Sequence, residues 1–364
     1  MSYFDDILGE ILALVQVADP VLTEARQRRT AVLDAAEGFH GVLRSYRCGS
    51  LAYATAIGPP SNKPSDKGVD GDCGIVLDRR KWPRLGPDSA AGEGPADVVG
   101  QVRDHIRPKL EEQYPSVRVG TSKKRAIRNM FGEPLRSGED PPVELIVALT
   151  RADAPGLWIP DLVADTWDAA HPEEHRRLIN DVPSDSLRVR RARIMRLVKR
   201  WNKAMAEPAF SSFHLQALVL ETLTEAETGR RLRSSLKTFF TAAADRLEAG
   251  MTQDPAGVSG VFHLENGVTR TTAVKRLRAC AAALAEAAGN PDDKEHVREC
   301  LKRIFEDTLV DDAHTNFRAH ALTDGNSRLV AVGAGVVAAG LGLTLGARGQ
   351  RGPARRRPAA WAPR

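Results

Sequence analysis

Residues 47–78, RCGSLAYATAIGPPSNKPSDKGVDGDCGIVLD, decide how the rest of the chain is read. A Gly-Ser pair leads into a polar loop rich in Gly, Pro and Lys, and then two aspartates, Asp70 and Asp72, stand one residue apart at the entry to the apolar run CGIVLD. A run of that length and composition predicts a buried strand. Residues i and i+2 of a strand project from one face, so a strand that begins at Asp70 aims two carboxylates side by side, which suits a divalent cation. The plainer reading is an Asp/Gly turn. Glu144 weighs against it, because it interrupts the strand-like PPVELIVAL. A carboxylate there is costly unless it faces a cleft, a metal or, on an edge strand, water. Three carboxylates from two strand starts would make a site for two Mg²⁺ ions that clamp the attacking and leaving oxygens of a phosphoryl transfer. Gly49-Ser50, ahead of LAYATA, reads as a phosphate cradle or as an ordinary turn: the glycine admits close backbone approach, and a hydroxyl and free amides follow.

The chain of 364 residues is 42% hydrophobic and 27% charged, enough for a substantial core and for two domains. A net charge of +5 is small, but Lys and Arg cluster at 123–128, 188–203 and 348–357, which suits a polyanionic ligand. Cys48, Cys73, Cys280 and Cys300 show no CxxC spacing and no Cys/His grouping in sequence, so neither a disulfide framework nor a zinc site is expected. The start, MSYFDDILGEILALV, is acidic and amphipathic, unlike a signal peptide, and a cytoplasmic location is expected.

Helical periodicity predicts helices over 3–17 and 20–43, and another near 97–113; SVRVG and PPVELIVAL read as strands. Beyond about residue 165, long amphipathic segments (172–180, 187–206, 212–227, 232–248, 270–288 and 293–308) take over, without a repeat. The organisation expected is 1–165 for the opening helices and a catalytic core, 166–310 for a helical domain, 311–328 for a linker, 329–347 for a Gly/Ala-rich apolar segment and 348–364 for a basic tail. The apolar segment, LVAVGAGVVAAGLGLTLGA, is just long enough to span a bilayer, so membrane contact there is an expectation.

GSLAYAT with VDGDCGIVL, PPVELIVALT, RIMRLVKRWNKAM (193–205) and FSSFHLQALVLET (210–222) together resemble the DNA polymerase β-like nucleotidyltransferases, and within them the cGAS/DncV-like enzymes of bacterial anti-phage signalling. The resemblance covers roughly residues 3–310. It implies an α+β fold, in which a mixed sheet with flanking helices is followed by a helical bundle that completes a nucleotide cleft. By composition alone Lys199 is a solvated lysine, and Ser211 or Ser212 is a helix N-cap. The resemblance implies more: Asp70, Asp72 and Glu144 as ligands of Mg²⁺ or Mn²⁺, Glu144 also aiding deprotonation of the attacking hydroxyl, Gly49, Ser50, Lys199 and Ser212 on the triphosphate, and Phe213 stacked on a base. Glu144 stands where relatives more often carry Asp. His214 reads as a packed or surface histidine, and KKRAIRN (123–129) either lines the cleft or forms a solvated hairpin. QDPAGVSG and RIFED resemble closing elements of the family without chemistry of their own.

Nucleoside triphosphates are thus the expected substrates and a cyclic di- or oligonucleotide for a separate effector the expected product; no zinc thumb marks double-stranded DNA as activator. The alternatives are a linear transferase acting on RNA, protein or a small molecule, and a non-catalytic nucleotide- or RNA-binding relative. The intact carboxylate set argues against the last.

Overall fold

The computed structural model describes residues 2–60, 68–121, 124–152 and 154–309. The linker, the apolar segment 329–347 and the basic tail lie outside the described residues; among the described residues, no helix is long and apolar enough to cross a membrane. The elements run α1 (Tyr3–Val15), α2 (Asp19–Glu37), β1 (Val42–Arg47), α3 (Gly49–Ala52), β2 (Gly71–Leu77), α4 (Ala96–Gln113), β3 (Arg118–Thr121), β4 (Ile127–Met130), β5 (Val143–Thr150), β6 (Leu157–Asp161) and β7 (Thr166–Ala170). They continue with α5 (Pro172–Asn180), α6 (Asp185–Ala204), α7 (Ser212–Thr222), a 3₁₀ turn at Glu225–Glu227, α8 (Leu232–Ala249), α9 (Arg270–Gly289) and α10 (Lys294–Phe305).

The sheet order is β1-β2-β5-β4-β3, with β6 on β5 and β7 on β6. Only β2 and β5 pair in parallel; the other pairings are antiparallel, so the sheet is mixed and the fold α+β. Alternation along the two central strands separates a dry face from a working face. Cys73, Ile75 and Leu77 of β2 and Val143, Leu145 and Val147 of β5 pack with Val32 and Ala36 of α2 and Val102 and Ile106 of α4 in one fully apolar core. Each buried Val, Ile or Leu there contributes about 1.5–3 kcal/mol. The intervening positions, Asp72, Gly74 and Val76 with Glu144, Ile146 and Ala148, face the other way.

A second core is helical: Phe4, Leu8 and Ile11 of α1, Leu197, Val198 and Trp201 of α6, Leu215 and Leu218 of α7, Phe239 and Phe240 of α8, Leu284 of α9 and Leu301 and Phe305 of α10. The first helix therefore packs with the last ones, although it opens the stretch expected to form the sheet portion. The expected helix 20–43 ends at Glu37, and Val42–Arg47 is instead an edge strand. Gly38 caps α2, and Gly41 at φ 79° turns the chain towards β1, a conformation that suits glycine. The expected helix 212–227 stops at Thr222.

Candidate active site

β1 carries the chain to Gly49, where the backbone turns at φ 69° into the single turn of α3. Any side chain at Gly49 would overlap the Asp72 carboxylate, so the absence of a Cβ is what lets this turn lie directly on that group. The Cys48 N–H donates to the Asp72 carbonyl at 3.3 Å and fixes the same approach. Asp70 differs from the expectation: the strand starts one residue later, so Asp70 sits on the lead-in to β2 rather than within the strand. Asp72 is the second strand residue, and the parallel register sets it abreast of Glu144 on β5, on the same face.

Burial, and then repulsion from Asp70 and Glu144, push the Asp72 carboxyl up to about 7; Lys199 and Arg29 pull in the opposite direction. Two further carboxylates so close to a buried one raise its proton affinity, which is the signature of a cluster that a cation would neutralise. By donor chemistry, all oxygen, the set fits Mg²⁺ or Mn²⁺.

Lys199 corrects the reading as a solvated lysine: it is 6% exposed, and its Nζ donates to the Thr55 carbonyl at 3.0 Å. Burial and neighbouring Lys203 lower its amine to about 8, against the pull of Asp72 and Asp70. The same stretch of α6 holds the loop between α3 and β2 by other carbonyls. Arg196 donates to Ala54, and Arg200, buried beside Lys199, donates to Gly58 and pairs through Nε with Asp307 at 2.8 Å.

Across the cleft stands α7. Ser211 is the N-cap, accepting from the His214 N–H at 3.0 Å, which leaves the Ser212 hydroxyl outside the capping role and on the cleft wall. His214 points inward, fully buried, with Nε2 2.8 Å from the Thr252 hydroxyl, and burial lowers its ring to about 4. Phe213 meets the His175 ring edge-on at 4.2 Å and the Phe262 ring at 5.4 Å.

His175 and Phe262 come from different elements, and Asp254 joins them. Its Oδ1 accepts from His175 Nε2 at 2.6 Å and from the Ala256 N–H at 3.0 Å, and its Oδ2 accepts from the Val258 and Ser259 N–H groups at 3.2 and 2.8 Å. Burial opposes the Asp254 charge, but these donors win and hold the carboxyl down at about 2. Ionised Asp254 can only accept, so His175 carries its proton on Nε2. The QDPAGVSG loop, expected to lack chemistry, thus folds around a buried acceptor that ties it to α5.

The resulting cleft of about 530 Å³ is lined by Gly49, Ser50, Asp70, Asp72, Lys199, Ser212 and Phe213, seven of the eight residues singled out from the sequence. Glu144 stands beside Asp72 and acts on it through charge. Sequence reasoning missed Tyr46, His175, Gln216, Ser259 and Phe262, which also line the cleft. Of the basic run, Arg125 lines the cleft with Nη2 2.7 Å from Asp168, and Arg128 pairs with Glu144 in the β4–β5 register. Away from the cleft, Glu286, His296 and Cys300 bring their ligand atoms within 4.8 Å of one another, which corrects the expectation of no Cys/His grouping: His296 and Cys300 stand four residues apart on α10. There Arg303 donates to Glu286 at 2.6 Å and to Cys300 at 3.0 Å.

No model of a known protein family matches the chain, and no curated protein matches it in sequence. Solved structures do match. The Bradyrhizobium diazoefficiens CD-NTase CdnG in complex with GTP is similar at 16% identity and a TM-score of 0.62, over 84% of this chain and 96% of that one. CdnC of E. coli MS115-1 with ATP matches at 14% identity and 0.60, over 84% and 98%. The Vibrio cholerae cyclic AMP-GMP synthase DncV, a prokaryotic cGAS homolog, matches at 14% and 0.54, over 85% and 88%. The chain has the fold of these cGAS/DncV-like nucleotidyltransferases.

Proposed function

We propose that the chain is a divalent-metal-dependent nucleotidyltransferase that joins nucleoside triphosphates, releases pyrophosphate and closes its product into a cyclic di- or oligonucleotide. The observation that carries this reading is the carboxylate cluster: Asp72, raised to about 7 by burial and by Asp70 and Glu144, under a glycine turn and across from a buried lysine. The likeness in fold to structures that hold GTP and ATP supports it.

Asp70, Asp72 and Glu144 would hold the metal. Bound Mg²⁺ or Mn²⁺ supplies positive charge to the oxygens of the transferring phosphate. The chain's own groups do the rest. The Gly49 turn and the Ser50 hydroxyl receive phosphate oxygens, Lys199 adds an ammonium, and Ser212 adds a hydroxyl from the opposite wall. Phe213 packs against a base. A ribose 2′- or 3′-hydroxyl of the acceptor attacks the α-phosphorus of the donor; the new P–O bond forms as the bond to the β-phosphate oxygen breaks, and Glu144 takes the hydroxyl proton. A second transfer closes the ring. Within this reading a separate effector receives the product as a second messenger, in anti-phage defence.

With Mg²⁺ or Mn²⁺ and mixed triphosphates the protein is expected to release pyrophosphate without a nucleic-acid template and to yield a product resistant to alkaline phosphatase, since a ring has no terminal phosphate. Asp72→Asn keeps size but removes charge and should lower the rate by a factor of about 10² or more. A phosphatase-sensitive product would move the protein to the linear transferases, and activity retained in Asp72→Asn would overturn the metal-site reading.

A further inference from the structure

Gln216 is a polar group in the cleft wall whose presence the fold alone does not explain. It lies three residues after Phe213 and four after Ser212 on α7, hence on the same helix face. It lines the cleft and is 6% exposed. The residues that follow inward on this helix, Ala217, Leu218 and Val219, are apolar and buried. Among the described residues the Gln216 amide makes no hydrogen bond, yet its atoms are not sealed from solvent, so they open into the cleft. An amide placed so deep with no partner among the described residues costs free energy that an apolar side chain would not, unless a ligand completes it.

We propose that Gln216 reads the N7 edge of the purine bound beside Phe213 and that it selects adenine over guanine nucleotides; this rests on the nucleotidyltransferase reading above. A carboxamide offers one donor next to one acceptor. Adenine presents the complement on its N6/N7 edge, an amino donor next to a ring acceptor, and the two meet in a bidentate pair. The corresponding edge of guanine carries two acceptors, O6 and N7, which call for a paired donor such as a guanidinium. Arg125 is the one arginine lining the cleft among the described residues, and its Nη2 is bonded to Asp168.

The wall beside α7 is built to hold a base in one position, with the Phe262 ring 5.4 Å from that of Phe213. Ser259 and Phe262 line it, on the loop that Asp254 fastens through its backbone amides and through His175. A reader on a helix packed against a fastened loop discriminates because neither element can move to accept the wrong edge.

The test is binding of the non-hydrolysable analogues of ATP, GTP, CTP and UTP to the full chain and to Gln216→Leu and Gln216→Glu, with melting curves of each variant. The unaltered protein is expected to favour the adenine analogue over the guanine one by about 10- to 100-fold. Gln216→Leu should erase that preference while binding of the weaker nucleotides stays the same. Gln216→Glu, with acceptors only, can no longer donate to N7 and should lose the preference for adenine as well. An unaltered protein that favours guanine or shows no preference, or a Gln216→Leu or Gln216→Glu variant that folds and keeps the adenine preference, overturns the base-reading role and leaves the proposed reaction standing. A protein that binds none of the four analogues overturns the proposed reaction itself.

Discussion

Burial and a second ammonium nearby hold the Lys199 amine at about 8, within the range of ordinary buffers. Below that value the group is a cation facing Asp72 and any bound phosphate; above it the charge is gone. Nucleotide affinity should therefore fall as pH rises through about 8. The loss should approach the 1.5–3 kcal/mol of a charge-assisted hydrogen bond. Lys199→Arg, which stays protonated, should bind with a flat profile across the same range, and calorimetric titrations at pH 7 and pH 9 distinguish the two. Stability moves in the opposite direction. The unfolded chain holds this proton up to its ordinary value of 10.5, so between about 8 and 10.5 it binds more protons than the folded form and folding becomes more favourable as pH rises.

Asp254 works at the scale of an element, since one carboxylate organises a whole loop. Asp254→Ala removes the acceptor of three part-buried backbone N–H groups and of the buried His175. A loss of about 3–5 kcal/mol is expected, as for a broken buried pair, and urea unfolding measures it. Asp254→Asn keeps one acceptor oxygen and should lose less. Amide exchange at Ala256, Val258 and Ser259 should quicken in both variants, whereas that of β2 and β5 should stay slow in Asp254→Asn. No sequence pattern announces this clamp, because His175 and Asp254 are far apart in the chain and each is ordinary alone. Only the fold makes them neighbours.

For the whole molecule, what could be read from the sequence follows burial. The apolar runs of β2 and β5 and the amphipathic helices α6 and α7 were legible because each buries a dry face, and the carboxylates stood out as interruptions of those runs. The strands β1, β4, β6 and β7 were not, because VLRSYR, IRNM, LWIPD and TWDAA mix polar and apolar positions at or near sheet edges and carry no clear alternation. Lys199 was misjudged as solvated because composition cannot tell a helix face that meets water from one that meets a loop. Its neighbour Arg200 has a further consequence. Its counter-ion, Asp307, lies just past α10, and a chain ended at Phe305 should lose about 3–5 kcal/mol in urea unfolding, which one ended at Leu309 keeps. During synthesis the ribosome releases Arg200 long before Asp307. Until Asp307 emerges, Arg200 lacks its counter-ion and the segment it holds at Gly58 lacks its full anchorage, so a polypeptide still on the ribosome carries Asp70 and Asp72 without the frame that the finished fold gives them.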